Sequence, residues 1–157
     1  MSMTLAALFL LQAAAAPCTT VAPPPPELRG WAQPRAVDAS AEAVLTPGVA
    51  VRAKLVPQAT LRFAVKPEKP GDAASHGGIF RFVTTQPGRY RVALGSGAWI
   101  DLVDGGRSVA SVGHGHGPAC SGIRKMVDFD LPAGTHIVQI AGSREPTLTM
   151  MVARLAR

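Results

Sequence analysis

The sequence predicts an all-β protein, an antiparallel β-sandwich of about nine strands, with a signal peptide and a proline-rich lead-in ahead of it. Three observations carry the prediction. Apolar residues make up 47% of the chain but aromatic ones only 5%, beside 16 Gly and 14 Pro, a composition suited to short strands joined by many turns. From Val49 onward the chain breaks into short apolar runs bounded by Pro, Gly or Asp at sandwich-like intervals. Two of the runs, Tyr90-Arg91-Val92-Ala93-Leu94 and Met126-Val127-Asp128-Phe129-Asp130-Leu131, alternate in a period of two, which sets a core on one side of each strand.

The first element is the export signal. Residues 1–16 carry no charge, and Leu5 to Leu11 form an apolar run leading into Ala13-Ala14-Ala15-Ala16, the kind of small-residue stretch that signal peptidase cuts. The run is far shorter than the ~20 apolar residues of a membrane-spanning helix, so no transmembrane segment is expected and the protein reads as periplasmic or secreted. Pro23-Pro24-Pro25-Pro26 follows as a semi-rigid polyproline II spacer. Residues 17–44 are expected to be an extended lead-in that docks Trp31 on the sandwich. Residues 45–157 form the folded domain, since a chain of 157 residues suits one core. Its expected strands cover residues 49–56, 60–65, 79–84, 89–94, 99–103, 108–113, 123–131, 135–141 and 148–155.

Cys18 and Cys120 are the two cysteines, and in an oxidising compartment an even pair reads as one disulfide tying the lead-in to the domain. Lipidation of Cys18 is the rival, opposed by Pro17 at the position where a lipobox wants a small residue. The chain carries 16 Lys and Arg against 10 Asp and Glu, a formal charge of +6, and every basic residue follows the signal. A surface of that sign attracts anionic partners such as an acidic polysaccharide or another envelope component. The basic residues are dispersed, with Lys66/Lys69 and Arg124-Lys125 the close pairs outside alternating strands, and no basic stripe interleaved with aromatics exists to follow a phosphate backbone. Specific nucleic-acid binding is therefore not expected. Nucleotide chemistry is set aside too, because the chain has no P-loop and Gly95-Ser96-Gly97 lacks the rest of a dinucleotide fingerprint.

Two stretches echo each other: Pro87-Gly88-Arg89-Tyr90-Arg91-Val92-Ala93-Leu94-Gly95 and Ala133-Gly134-Thr135-His136-Ile137-Val138-Gln139-Ile140-Ala141-Gly142. Each is a glycine turn feeding an alternating strand that ends in glycine. The first lies between Phe80-Arg81-Phe82 and Trp99-Ile100-Asp101-Leu102-Val103-Asp104. Over residues 79–152 this pattern resembles the bacterial pre-peptidase C-terminal domain and its carbohydrate-module relatives. The resemblance implies a jelly-roll sandwich of the kind found in secreted proteins, and it speaks to fold more than to function.

Metal chemistry could sit in Gly113-His114-Gly115-His116-Gly117-Pro118-Ala119-Cys120, where His114 and His116 point the same way on a strand and can reach one ion. His76 and His136 are further candidate ligands, and Cys120 would add a soft one if unbridged. A glycine-rich surface loop accounts for the same residues without a metal. His114-Gly115-His116 and Pro132-Ala133-Gly134-Thr135-His136 also resemble parts of the cupin pattern, although no Glu follows His116 at the expected distance. That resemblance implies a non-haem iron dioxygenase of the homogentisate 1,2-dioxygenase type as the enzymatic alternative. A simple carrier of zinc, copper or iron is the other metal-dependent alternative.

Asp101 and Asp104 offer too few oxygens for calcium, and Asp104-Gly105 reads as a hairpin turn. Ser121 lies in no nucleophile elbow. Among the aromatics, Trp99 and Tyr90 are the candidates for stacking on a ligand such as a sugar, against core packing as the plain alternative. With no complete catalytic set, the leading expectation is a non-catalytic binding or accessory module for an envelope component or anionic glycan, without a cofactor.

Overall fold

The computed structural model describes residues 17–38 and 43–156, so the expected signal peptide lies outside the described residues. The strands are β1 (Arg35–Asp38), β2 (Val44–Leu45), β3 (Val51–Lys54), β4 (Val56–Pro57), β5 (His76–Thr84), β6 (Gly88–Leu94), β7 (Trp99–Asp104), β8 (Arg107–Val109), β9 (Gly113–Gly115), β10 (Lys125–Leu131), β11 (Gly134–Ser143) and β12 (Thr147–Arg154). Two short 3-10 helices, Pro26–Ala32 and Gln58–Thr60, complete the described elements. None of the described helices is long and apolar enough to cross a membrane.

The strands form two sheets, ordered β1-β3-β12-β6-β10-β9 and β2-β5-β11-β7-β8, with β4 pairing to the start of β5. Alternation does what the sequence implied. Tyr90, Val92 and Leu94 of β6 and Val127 and Phe129 of β10 turn inward, where they meet Phe80, Phe82, Ile100, Leu102, Val138 and Ile140 of the other sheet in one core. The fold is mostly β and sandwich-like.

The expected antiparallel sheet of about nine strands needs correction, because both sheets are mixed. β1 runs parallel to β3 and β2 parallel to β5, each at a sheet edge. These added strands come from the lead-in, which was expected to be extended and free of regular elements. Strands of four and two residues carry no readable alternation, and edge pairing to a finished sheet makes them regular. The expected strand at 60–65 is absent; that stretch crosses the outer face of the second sheet as part of an irregular strap.

Trp31 docks as expected, but from a 3-10 helix. Leu28 and Trp31 of the helix cover Ala50, Ala93, Ile123, Met151 and Ala153 on the outer face of the first sheet, a second small core. Gly30 permits the close approach, since a Cβ there would stand 2.7 Å from the Gly48 carbonyl oxygen. Beside this cluster Arg91 donates to both carboxylate oxygens of Asp128, at 2.7 and 2.9 Å, and to Glu27 of the helix at 2.5 Å. Arg89 forms the matching fork with Asp130 one row along. The register pairs Arg91 with Asp128 and Arg89 with Asp130 directly across β6 and β10. Cys18 and Cys120 are joined, as expected, in a disulfide that closes the start of the lead-in onto the domain.

Candidate functional site

The strap from Leu61 to Ser75 builds the site by lying on the outward residues of the second sheet. On β5, β11 and β7 the register sets Ile79, Gln139 and Asp101 in one row. Gln139 is fully buried there, and its side-chain amide acts as a surrogate strand: Oε1 accepts from the N–H groups of Ala64 and Val65, at 2.6 and 3.1 Å, and Nε2 donates to the Val65 carbonyl at 3.0 Å. At the strap's ends Gln58 accepts from Gly142 N–H and donates to the Pro70 carbonyl. Gly77 leaves room for Leu61 and Phe63, since a Cβ there would stand 3.0 Å from Leu61 Cδ1 and 2.6 Å from the Ile140 carbonyl oxygen.

This tethering sets Lys69 over the partly buried ring of Trp99, with Nζ 4.6 Å from the ring centroid. Lys125, at the start of β10 in the other sheet, brings its Nζ to 4.7 Å from the same centroid and donates to the Ala98 carbonyl at 2.9 Å. Both distances are within the range of a cation–π attraction. The indole N–H donates to Asp101 Oδ1 at 3.0 Å, fixing the ring against the strand. Asp101 Oδ2 is buried without a hydrogen bond; the Glu68 backbone favours the ionised carboxylate but does not reach bonding geometry.

Around these residues opens a cleft of about 750 Å³, floored by Ile100, Val109, Val127 and Phe129 and rimmed by Lys66, Glu68, Lys69, Trp99, Asp101, His114 and Lys125. A volume of that order holds a small ligand or one or two sugar rings. Burial raises the Asp101 carboxyl above its ordinary value, against the pull of the Trp99 N–H. Burial lowers the Lys125 ammonium, the like charge of Lys69 lowers it further, and Asp101 partly offsets both.

The four histidines are not brought together. His76 pairs with Ser143 near the far end of β11, seven residues from His136, which at about 3.3 Å per residue is roughly 23 Å of strand. His136 is fully buried in the core, its Nε2 3.0 Å from Thr84 Oγ1 and 3.1 Å from the Pro132 carbonyl; its Nδ1 lies 3.1 Å from Asp104 Oδ1 without hydrogen-bond alignment. His114 and His116 stand exposed on and just after β9, at the edge of the first sheet, and His116 Nδ1 is engaged by the Arg124 carbonyl at 2.5 Å. Cys120 is bridged and so cannot ligate, and among the described residues no cluster of three or more metal-ligating side chains occurs.

Tyr90 is corrected as a stacking residue. It faces the core at 2% exposure, and its hydroxyl donates to the Gln86 carbonyl, because the alternation of β6 turns it inward with Val92 and Leu94. It also lies in the first sheet, whereas Trp99 begins β7 of the second. Asp104 ends β7 at a two-residue hairpin turn in which Gly105 and Gly106 both have positive φ, as the Asp-Gly signal implied. Lys69 and Lys125 belong to the two close basic pairs of the sequence, but nothing in the sequence joins those pairs to each other or to Trp99. No family model, curated protein or solved structure matches the chain.

Proposed function

We propose that the protein is an exported, non-catalytic binding or accessory module, a sandwich of the jelly-roll kind, whose Trp99 cleft takes an anionic glycan of the cell envelope or its surroundings. The observation that carries this reading is one partly buried indole with two ammonium groups, Lys69 and Lys125, at 4.6 and 4.7 Å from its centroid. The indole gives the cleft an apolar wall for a sugar ring to lie beside, and the two cations held over it neutralise the acid group of an anionic sugar. The formal charge of +6 steers a polyanion toward the surface before the cleft engages it. The Cys18–Cys120 bridge fits an oxidising compartment. A metal-dependent enzyme on the histidines fits less well, since its ligands must converge on one point and His76 and His136 stand far apart along β11.

Affinity electrophoresis through gels containing neutral or acidic polysaccharide tests the reading. The protein is expected to be retarded by the acidic gels and not the neutral ones, and Trp99→Ala to weaken the retardation at least about tenfold. Equal retardation of wild type and Trp99→Ala would remove the cleft from the function.

A further inference from the structure

The cations of the cleft narrow the ligand. Among the described residues lining it, the basic side chains besides His114 are all lysines: Lys66, Lys69 and Lys125. The chain uses arginine differently. Arg89 and Arg91 each present Nε and Nη2 to the two oxygens of one aspartate, the planar fork-to-fork geometry by which guanidinium recognises a carboxylate. A lysine ammonium has no such plane; it is a compact charge with three rotatable donors, suited to an oxyanion that presents oxygens in several directions. Two of these ammonium groups converge on one ring from different sheets, Lys69 through the strap and Lys125 through β10, so that positive charge is concentrated at one place. Their mutual repulsion, which helps to lower the Lys125 ammonium, is what a bound anion relieves. Beside them the Asp101 carboxylate, with Oδ1 holding the Trp99 N–H and Oδ2 buried, is a repulsive neighbour for a second acid group placed there.

We infer that the cleft recognises a tetrahedral oxyanion ester on a glycan, a sulfate or phosphate group seated between Lys69 and Lys125, rather than the planar carboxylate of a uronic acid. The inference rests on the anionic-glycan reading of the Trp99 cleft and adds the chemistry of the acid group. Lys66 extends the cationic rim toward the next residue of the glycan, and Asp101 disfavours a second acid group next to the ester.

The test is calorimetric titration with three oligosaccharides matched in length and charge: a sulfated dextran fragment, a phosphorylated mannose oligosaccharide and an oligogalacturonate. Each is titrated into wild type, Lys69→Gln, Lys125→Gln and, as a remote control, Lys54→Gln on β3. The sulfated or the phosphorylated ligand is expected to bind at least about tenfold tighter than the oligogalacturonate, with loss of about tenfold in each cleft variant and less than about twofold in Lys54→Gln. Whichever of the two esters binds tighter names the source of the oxyanion. Lys69 is exposed on the strap, so its variant tests the idea even if Lys125→Gln fails to fold. Equal or tighter binding of oligogalacturonate overturns the ester inference and leaves the anionic-glycan reading standing. Affinities for all three ligands that the cleft variants leave unchanged overturn both.

Discussion

Replacing Gln139 by leucine removes the one side chain that holds the strap to the second sheet at its middle. The residue is fully buried, and its amide makes three hydrogen bonds to the strap backbone, to the Ala64 N–H, the Val65 N–H and the Val65 carbonyl. Leucine is close in volume, so packing against Ile79 costs little and the polar term dominates. Each backbone group left buried and unpaired costs about 1–3 kcal/mol. Apart from Pro67 and Ser75 the strap residues are half-buried or exposed, so water recovers part of that cost by lifting the segment off the sheet. A net loss of about 2–4 kcal/mol follows. Urea unfolding measures it, and amide hydrogen exchange at Ala64 and Val65 locates it, with protection lost there while the strands of the first sheet keep theirs. Because the strap carries Lys66 and Lys69, affinity for an acidic polysaccharide should fall in the same variant even under conditions where it is fully folded. A stability change under about 0.5 kcal/mol with both amides still protected would refute the role assigned to Gln139.

Two further expectations concern the lead-in and the pH response. Removing the bridge with Cys18→Ser and Cys120→Ser opens a loop of 102 residues and should lower stability by about 2–4 kcal/mol in thermal melts, with Trp31 fluorescence shifting red as its helix loosens from the first sheet; a melt identical to wild type would show that the lead-in is held without the bond. Burial holds the Asp101 carboxyl above its ordinary value, so the folded state keeps that proton where the unfolded chain has lost it, and this group's contribution to stability falls as pH rises from the ordinary carboxylate value through the raised one. Asp101→Asn, which still accepts from the Trp99 N–H, should therefore raise the urea midpoint at neutral pH and reduce the decline across that window. A midpoint at neutral pH below that of wild type would contradict the sign.

Much of the fold was legible because burial on one side of a strand writes a period of two into the sequence. Tyr90-Arg91-Val92-Ala93-Leu94 and the run from Met126 to Leu131 were read as strands, and they stand as β6 and β10 with the expected faces inward. The stretch at 60–65 misled for a physical reason: its Leu61, Phe63 and Val65 alternate like a strand because one side of the segment packs on the sheet, yet its backbone finds a glutamine amide where a strand would find a neighbour. β1 and β2 went unread because edge strands of four and two residues have too few positions to show a period. Residue type alone makes Tyr90 a candidate stacking ring, whereas its parity with Val92 and Leu94 places it in the core.

By itself the sequence determined the longer alternating strands and which of their faces are apolar, that Asp104-Gly105 turns the chain, that two cysteines are available to be joined and that the charge is positive. These are local or summed properties, fixed by spacing and composition. Only the tertiary structure decided that Lys69 and Lys125, 56 positions apart in the chain, meet at Trp99, that one oxygen of Asp101 is buried beside that ring, and that the four histidines stay apart. The reason is that a site depends on which strands become neighbours and how a strap crosses them. That arrangement is set by the packing of two sheets and by the side-chain amides of Gln139 and Gln58, and neither leaves a periodic mark on the residues that end up side by side.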